Sequence, residues 1–297
     1  MTHPVLWLAL FSITQSAGPE TRSAANPVMA ELMAEGIVVD GTTVKLPGPT
    51  LADGQDAEAA RAVVRSVAGD DRAVRDFLRD SVTAPFILKA RDIKAGAAIV
   101  RAADLWFAVH ADLADVDPDQ VLRRANDQAV EAGNMRFEAK ILGEADLRGR
   151  QVRALGPEDG RSEWYTHLTG RLLDRISFEA TDRAVATRSP DSSTVAARTD
   201  PGFDRDAEFP NRWSTLARQG GSEAPGAARP YLGGASYAKI TRLASEPGVL
   251  FVEAHFAFVE PHDWFQGNPI LRSKIAVIAQ DQVRQLRREI AKRRGKK

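Results

Sequence analysis

The densest group of side chains able to do chemistry lies near the end of the chain. It comprises Glu253–Ala254–His255, then Glu260–Pro261–His262–Asp263–Trp264–Phe265. In a strand, residues two apart project from one face, so Glu253 and His255 are expected to stand side by side. A carboxylate beside an imidazole orients the ring and raises its basicity, which makes this pair a candidate for acid–base catalysis. No nucleophile accompanies it, so no reaction follows from the pair alone. Imidazoles with one carboxylate also suit zinc or manganese, and a metal-bound water is a hydrolytic nucleophile. The candidate ligands are His255, His262 and Asp263, with Glu253, His110 or His167 as further donors. These histidines share no recognised ligand spacing, so distant strands would have to converge on the ion. The competing reading is structural, with Glu260 or Asp263 pairing Arg272 or Lys274 while Trp264 and Phe265 close the core.

Other catalytic signatures are missing. The sequence has no phosphate-cradling glycine loop, no dinucleotide fingerprint, no His-Glu-x-x-His and no Gly-x-Ser-x-Gly elbow. Asp115–Val116–Asp117–Pro118–Asp119 begins like a calcium loop. It departs from one at Gln120, where glycine is needed, and at Asn126, where a bidentate glutamate belongs.

Alternation fixes which way the central pair points. Leu250, Val252, Ala254, Phe256 and Phe258 share one face and mark it as the core side. His255 is then on a solvated face, or faces a polar cavity if the sheet is covered on both sides. That strand is expected over Val249–Val259, after a partner over Ser236–Leu243. Further strands are expected at Phe86–Ile93, Ile99–His110, Met135–Leu142, Gln151–Leu155, Trp164–Leu172 and Ile176–Ala180. Upstream, Asn26–Pro27 caps a short helix to Glu35, and Asp40–Gly41 makes a type I′ hairpin between Ile37–Val39 and Thr42–Leu46. Helices follow over Asp56–Ala68, Asp71–Val82 and 117–133. Asn268–Pro269 opens the last helix, whose apolar stripe includes Leu271, Ile275, Ile278, Val283, Leu286 and Ile290.

Residues 188–234 lose all regular patterning and are expected to form a long irregular insertion, a lid or mobile loop in one domain spanning 19–297. The element order gives an α+β fold, a curved antiparallel sheet packed on a long C-terminal helix. It resembles the helix-grip layout by architecture alone, which permits an apolar ligand site without establishing one.

Composition places the chain. Met1–Gly18 reads as a signal peptide, with an apolar run Val5–Ile13 too short to span a bilayer and small residues for cleavage after Ser16 or Gly18. Its first residues carry no Lys or Arg. There is no cysteine and no Asn-x-Ser/Thr acceptor, so a bacterial periplasmic or extracellular location is expected. Forty basic and forty acidic residues balance overall. Arg284–Lys297, however, holds eight basic residues and one acid, a net +7. Arg287, Arg288, Lys292, Arg293 and Arg294 are the candidate contacts to an anionic membrane or polymer, in a tail (291–297) expected to leave the body. Nucleic acid is not expected, because no aromatic platform accompanies these charges.

The reading favoured by sequence is an exported, non-enzymatic protein that binds a lipid or other hydrophobic or amphipathic small molecule between sheet and helix. The alternatives are a metal-dependent hydrolase centred on His255 and His262, with zinc as the candidate cofactor, and a structural envelope protein without ligand.

Overall fold

The computed structural model describes residues 26–116, 130–132, 134–150, 152, 161–219 and 222–294. The expected leader at 1–18, the strand at 151–155 except Val152, and residues 295–297 lie outside them, as does most of the helix expected over 117–133.

The N-terminal layer forms as its capping residues dictate. Helix α1 (Pro27–Ala34) begins with the Asn26 side chain accepting the Met29 amide, with proline in its first turn. Strands β1 (Ile37–Val39) and β2 (Thr42–Val44) turn through Asp40 and Gly41, both at positive φ as a type I′ turn requires. Asp56 caps α2 (Ala57–Ala68) and Asp70 caps α3 (Asp71–Phe77). The last of these stops five residues short of the expected Val82, because residues 79–84 fold into turns instead.

The rest is one large antiparallel sheet. Its strands are β3 (Ile87–Ala95), β4 (Ala98–His110), β5 (Val130–Ala132), β6 (Met135–Leu142), β7 (Arg161–Leu172), β8 (Ile176–Arg188), β9 (Ser192–Thr199), β13 (Gly234–Arg242) and β14 (Val249–Pro261). Their spatial order is β3-β4-β14-β13-β9-β8-β7-β6-β5, and the sheet does not close. The N-terminal half of β8 pairs with β10 (Arg212–Gln219) and its C-terminal half with β9. The short strands β11 (Ser222–Pro225) and β12 (Arg229–Pro230) pair with β10. Helix α4 (Glu144–Leu147) follows β6.

Two expectations are corrected here. Residues 188–234 are not an irregular insertion, since β9 is an interior strand between β13 and β8. Phe209, Trp213 and Tyr231, isolated in the sequence, are buried. The strand leaves little mark in the sequence because Ser192–Ser–Thr–Val–Ala–Ala–Arg–Thr199 is built mostly of small residues, which have weak strand preference but fit a sheet crowded on both sides. Val130–Ala132, expected to close a helix, is strand paired with β6.

Helices α5 (His262–Phe265) and α6 (Ile270–Arg294) finish the chain. Leu271, Ile275, Val283, Leu286 and Ile290 of α6 pack on Leu105, Phe107, Val252 and Phe256 of the sheet. The opposite face is covered as well. There α1 and the β1–β2 hairpin pack on Val100, Ala102, Ala257 and Val259, while α2 and α3 pack on Trp106, Ala108 and Phe251. The central strands are therefore an interior layer.

One ion pair ties the ends of these strands together. Arg101 of β4 donates Nε and Nη2 to Glu260 of β14 at 2.7 and 2.9 Å, with both side chains almost fully enclosed. It also pairs with Asp92 of β3 and donates to the Asn268 carbonyl ahead of α6. Glu260 thus bonds Arg101, where the sequence suggested Arg272 or Lys274. Removing one partner of such a pair leaves a buried charge, so Glu260→Ala should destabilise the protein by about 3–5 kcal/mol. The double change Arg101→Met, Glu260→Leu should cost clearly less than the single change. Urea unfolding of the three proteins checks this, and equal costs would contradict it.

Candidate functional site

Between the two apolar patches on the N-terminal side, a polar belt crosses the sheet. On β4 it is Asp104, on β14 Glu253 and His255, on β13 Lys239, and on β9 Ser192 and Thr194; on β4 and β14 it separates residues of the two apolar clusters. The chain from Pro47 to Asp53 runs over this belt without regular secondary structure, and the belt supplies its hydrogen bonds. The Thr50 amide donates to Glu253 at 2.7 Å and the Leu51 amide at 3.4 Å. Lys239 donates to the Leu51 carbonyl and pairs with Asp53, which also accepts from Ser189 and Ser192. The Tyr237 hydroxyl donates to the Pro47 carbonyl, and the Trp106 indole donates to Thr50 Oγ1. Only Leu51 of this segment is fully buried, but where its backbone turns toward the sheet, sheet side chains supply the hydrogen bonds that no regular structure provides.

His255 lies inside the belt. Its Nδ1 contacts Asp104 Oδ1 at 2.8 Å, its ring stacks on Tyr237, and Trp106 meets it edge-on. Nε2 stands 3.6 Å from Glu253 Oε2, an ion-pair distance slightly too long for a hydrogen bond. Glu253 and His255 are therefore neighbours, as the spacing implied. Both are shut off from solvent, and the Glu253 carboxylate is taken up by backbone amides. That arrangement serves packing and leaves no route for a reactant.

The metal candidates do not meet. From His255 to the end of β14 is about 20 Å of strand at ~3.3 Å per residue, and His262 and Asp263 lie beyond it, exposed on α5. Asp263 pairs with Arg229, not with Arg272 or Lys274. His110 contacts the Leu78 carbonyl, and His167 contacts Thr181. Among the described residues, no three His, Asp or Glu side chains are grouped to hold a metal ion. The tail candidates separate too. Arg288 and Lys292 are exposed, whereas Arg287 is buried under α6. Of the tail, Ala291, Lys292 and Arg294 are exposed, and Arg294 bonds Asp80 through both carboxylate oxygens, while 295–297 lie outside the described residues.

The opposite face holds a different kind of site. Where the sheet runs on beyond α6, an apolar groove opens between Phe137 and Phe178 on one side and Leu271, Ile275 and Ile278 on the other. Tyr231 and Trp264 form its end wall, their rings stacked with centroids 5.5 Å apart, and Phe178 packs on both. The Phe178 ring lies across Gly170 of β7, where a Cβ would fall 2.1 Å from it, so that glycine is required for the ring's position. Lys274 is the one charged residue lining the groove, and the Trp264 indole N–H is buried without a partner. The sequence placed Leu271, Ile275 and Ile278 correctly but gave no sign that Tyr231, stranded in the unpatterned stretch, would join them.

No protein-family model matches the chain, and no curated protein matches it.

Burial disfavours the His255 imidazolium, but the hydrogen bond to Asp104 and the negative charges of Asp104 and Glu253 outweigh it, so its pKa is raised. A raised pKa contributes stability that is complete below the unfolded value of about 6.5 and is lost as pH climbs through the folded one. The wild-type unfolding free energy should therefore decline as pH rises above about 6.5. His255→Asn should lack that component, which urea unfolding across the range would reveal.

Proposed function

We propose that the protein is an exported, non-enzymatic binder of a hydrophobic or amphipathic molecule, held between the sheet and α6. The groove carries the proposal: its lining is apolar and aromatic apart from Lys274, and the indole N–H of Trp264, one of its lining residues, is buried without a partner among the described residues. Binding sites for small molecules combine such walls with a few placed polar groups. A ligand with an oxygen acceptor at one end would satisfy Trp264, and a carboxylate would also be drawn to Lys274. The free space within the groove is about 40 Å³. That holds a few waters, while a benzene-sized ligand needs roughly 150 Å³. Occupancy therefore requires the wall containing half-buried Ile278 to move outward. The hydrolase alternative has no converging ligand set behind it, and no specific observation favours a ligand-free envelope protein.

Export rests on the run Val5–Ile13 and the small residues after it. No helix of the described residues is long and apolar enough to cross a membrane. Expressed in a Gram-negative host, the protein should be recovered from the periplasm with a mature N-terminus after Ser16 or Gly18. Mass spectrometry of the intact periplasmic chain reads this, and an uncleaved cytosolic product counts against it.

For the ligand, we expect an anthroyloxy-labelled long-chain fatty acid to bind saturably and to quench tryptophan fluorescence. Ile278→Arg should abolish binding while shifting the melting temperature by only a few degrees, because Ile278 is half-buried at the groove's edge. No binding by the wild type, or undiminished binding by the variant, would sink the proposal.

A further inference from the structure

Arg287 is the most deeply buried charge on α6, and no carboxylate balances it. Its guanidinium donates to three backbone carbonyls, those of Ala84, Pro85 and Ala108, and lies 5.8 Å from the Phe107 ring. Among the described residues it has no ion-pair partner. Burial alone pushes its pKa down to about 10, as expected of a cation without a counter-charge. A lone buried charge is costly, and a structure retains one readily where something else supplies the opposite sign.

The surroundings supply a place for that. Arg287 lines a cleft of about 280 Å³ between the loop after α3, the end of β4 and the last turns of α6. Arg79, Ser81, His110 and Arg294 line it as well. Asp80 is the single acid in the lining, and both of its oxygens are engaged by Arg294. Three guanidinium groups against one carboxylate leave the cleft strongly cationic. Guanidinium forks and a hydroxyl are the donors that recognise tetrahedral oxyanions.

We propose that this cleft is a binding site for a phosphate group, seated against Arg287 and Arg79 with Ser81 as a further donor. Free inorganic phosphate and the headgroup of an anionic lipid share this chemistry. The site is separate from the apolar groove and stands whether or not that groove binds a ligand.

Titration calorimetry with inorganic phosphate, in buffer free of other oxyanions, tests the first source. Co-sedimentation with phosphatidylcholine vesicles, with and without phosphatidic acid, tests the second. The variants are Arg287→Met and Arg79→Gln. Arg79 is exposed, so its variant remains informative if Arg287→Met fails to fold. Saturable phosphate binding, weakened about tenfold or more in Arg79→Gln, supports the site with the free ion as occupant. Phosphatidic-acid-dependent sedimentation that Arg79→Gln weakens similarly, without binding of the free ion, supports it with the headgroup as occupant. Absence of both overturns the proposal. So does vesicle or phosphate binding that Arg79→Gln leaves unchanged, since the basic tail alone would then account for it.

Discussion

The organisation of this protein depends on how seven residues cross a sheet. Pro47–Asp53 carries unpaired amides and carbonyls over the central strands, and it is held because Glu253, Lys239, Tyr237 and Trp106 reach up to meet them. Without those side chains the sheet-facing backbone groups around Thr50 and Leu51 would lose their partners. With them, it connects the β1–β2 hairpin to α2 and closes the N-terminal layer. Burial then makes the belt's own charges depend on one another, which is why Asp53 lies against Lys239 and two serines, and His255 against two acids.

Much of this was legible in the sequence, and the reasons for the rest are specific. The faces of β14 followed from alternation, the cap at Asn26 announced its helix, and the next two helices were expected close to where α2 and α3 begin. The long final helix and its stripe were also clear. What periodicity could not show was that both faces of β14 are covered. The same spacing that brings Glu253 beside His255 describes a catalytic pair on an open surface and a backbone clasp beneath a second layer. Which one obtains depends on residues some 200 positions upstream, at Thr50 and Leu51. Strand β9 was hidden for a different reason: its Ser, Thr and Ala residues are chosen for tight quarters, and they resemble a loop when read alone. Arg287 resembles a surface charge in sequence because its neighbours are basic, although its helical position turns it inward.

The two sides of the sheet have different characters. The N-terminal side is fixed by hydrogen bonds and ion pairs that specify one geometry. The α6 side is held chiefly by apolar packing, which tolerates small shifts of one surface over another. An adaptable binding wall belongs on the second kind of side, and the aromatic groove is found there.

The pairing of β4 with β14 has a consequence for how the chain comes into being. His110 is matched with Val249 and Ala98 with Pro261, so the sheet's middle is assembled from segments at opposite ends of the sequence. During synthesis β4 can pair with the adjacent β3, but its other edge must wait for β14 until nearly the whole chain has emerged. Such long-range closure slows folding and lengthens the time that edge stays open. For the export proposed above, that delay would be an asset: a topology whose central pairing waits for the end of the chain leaves it pliable while it is threaded.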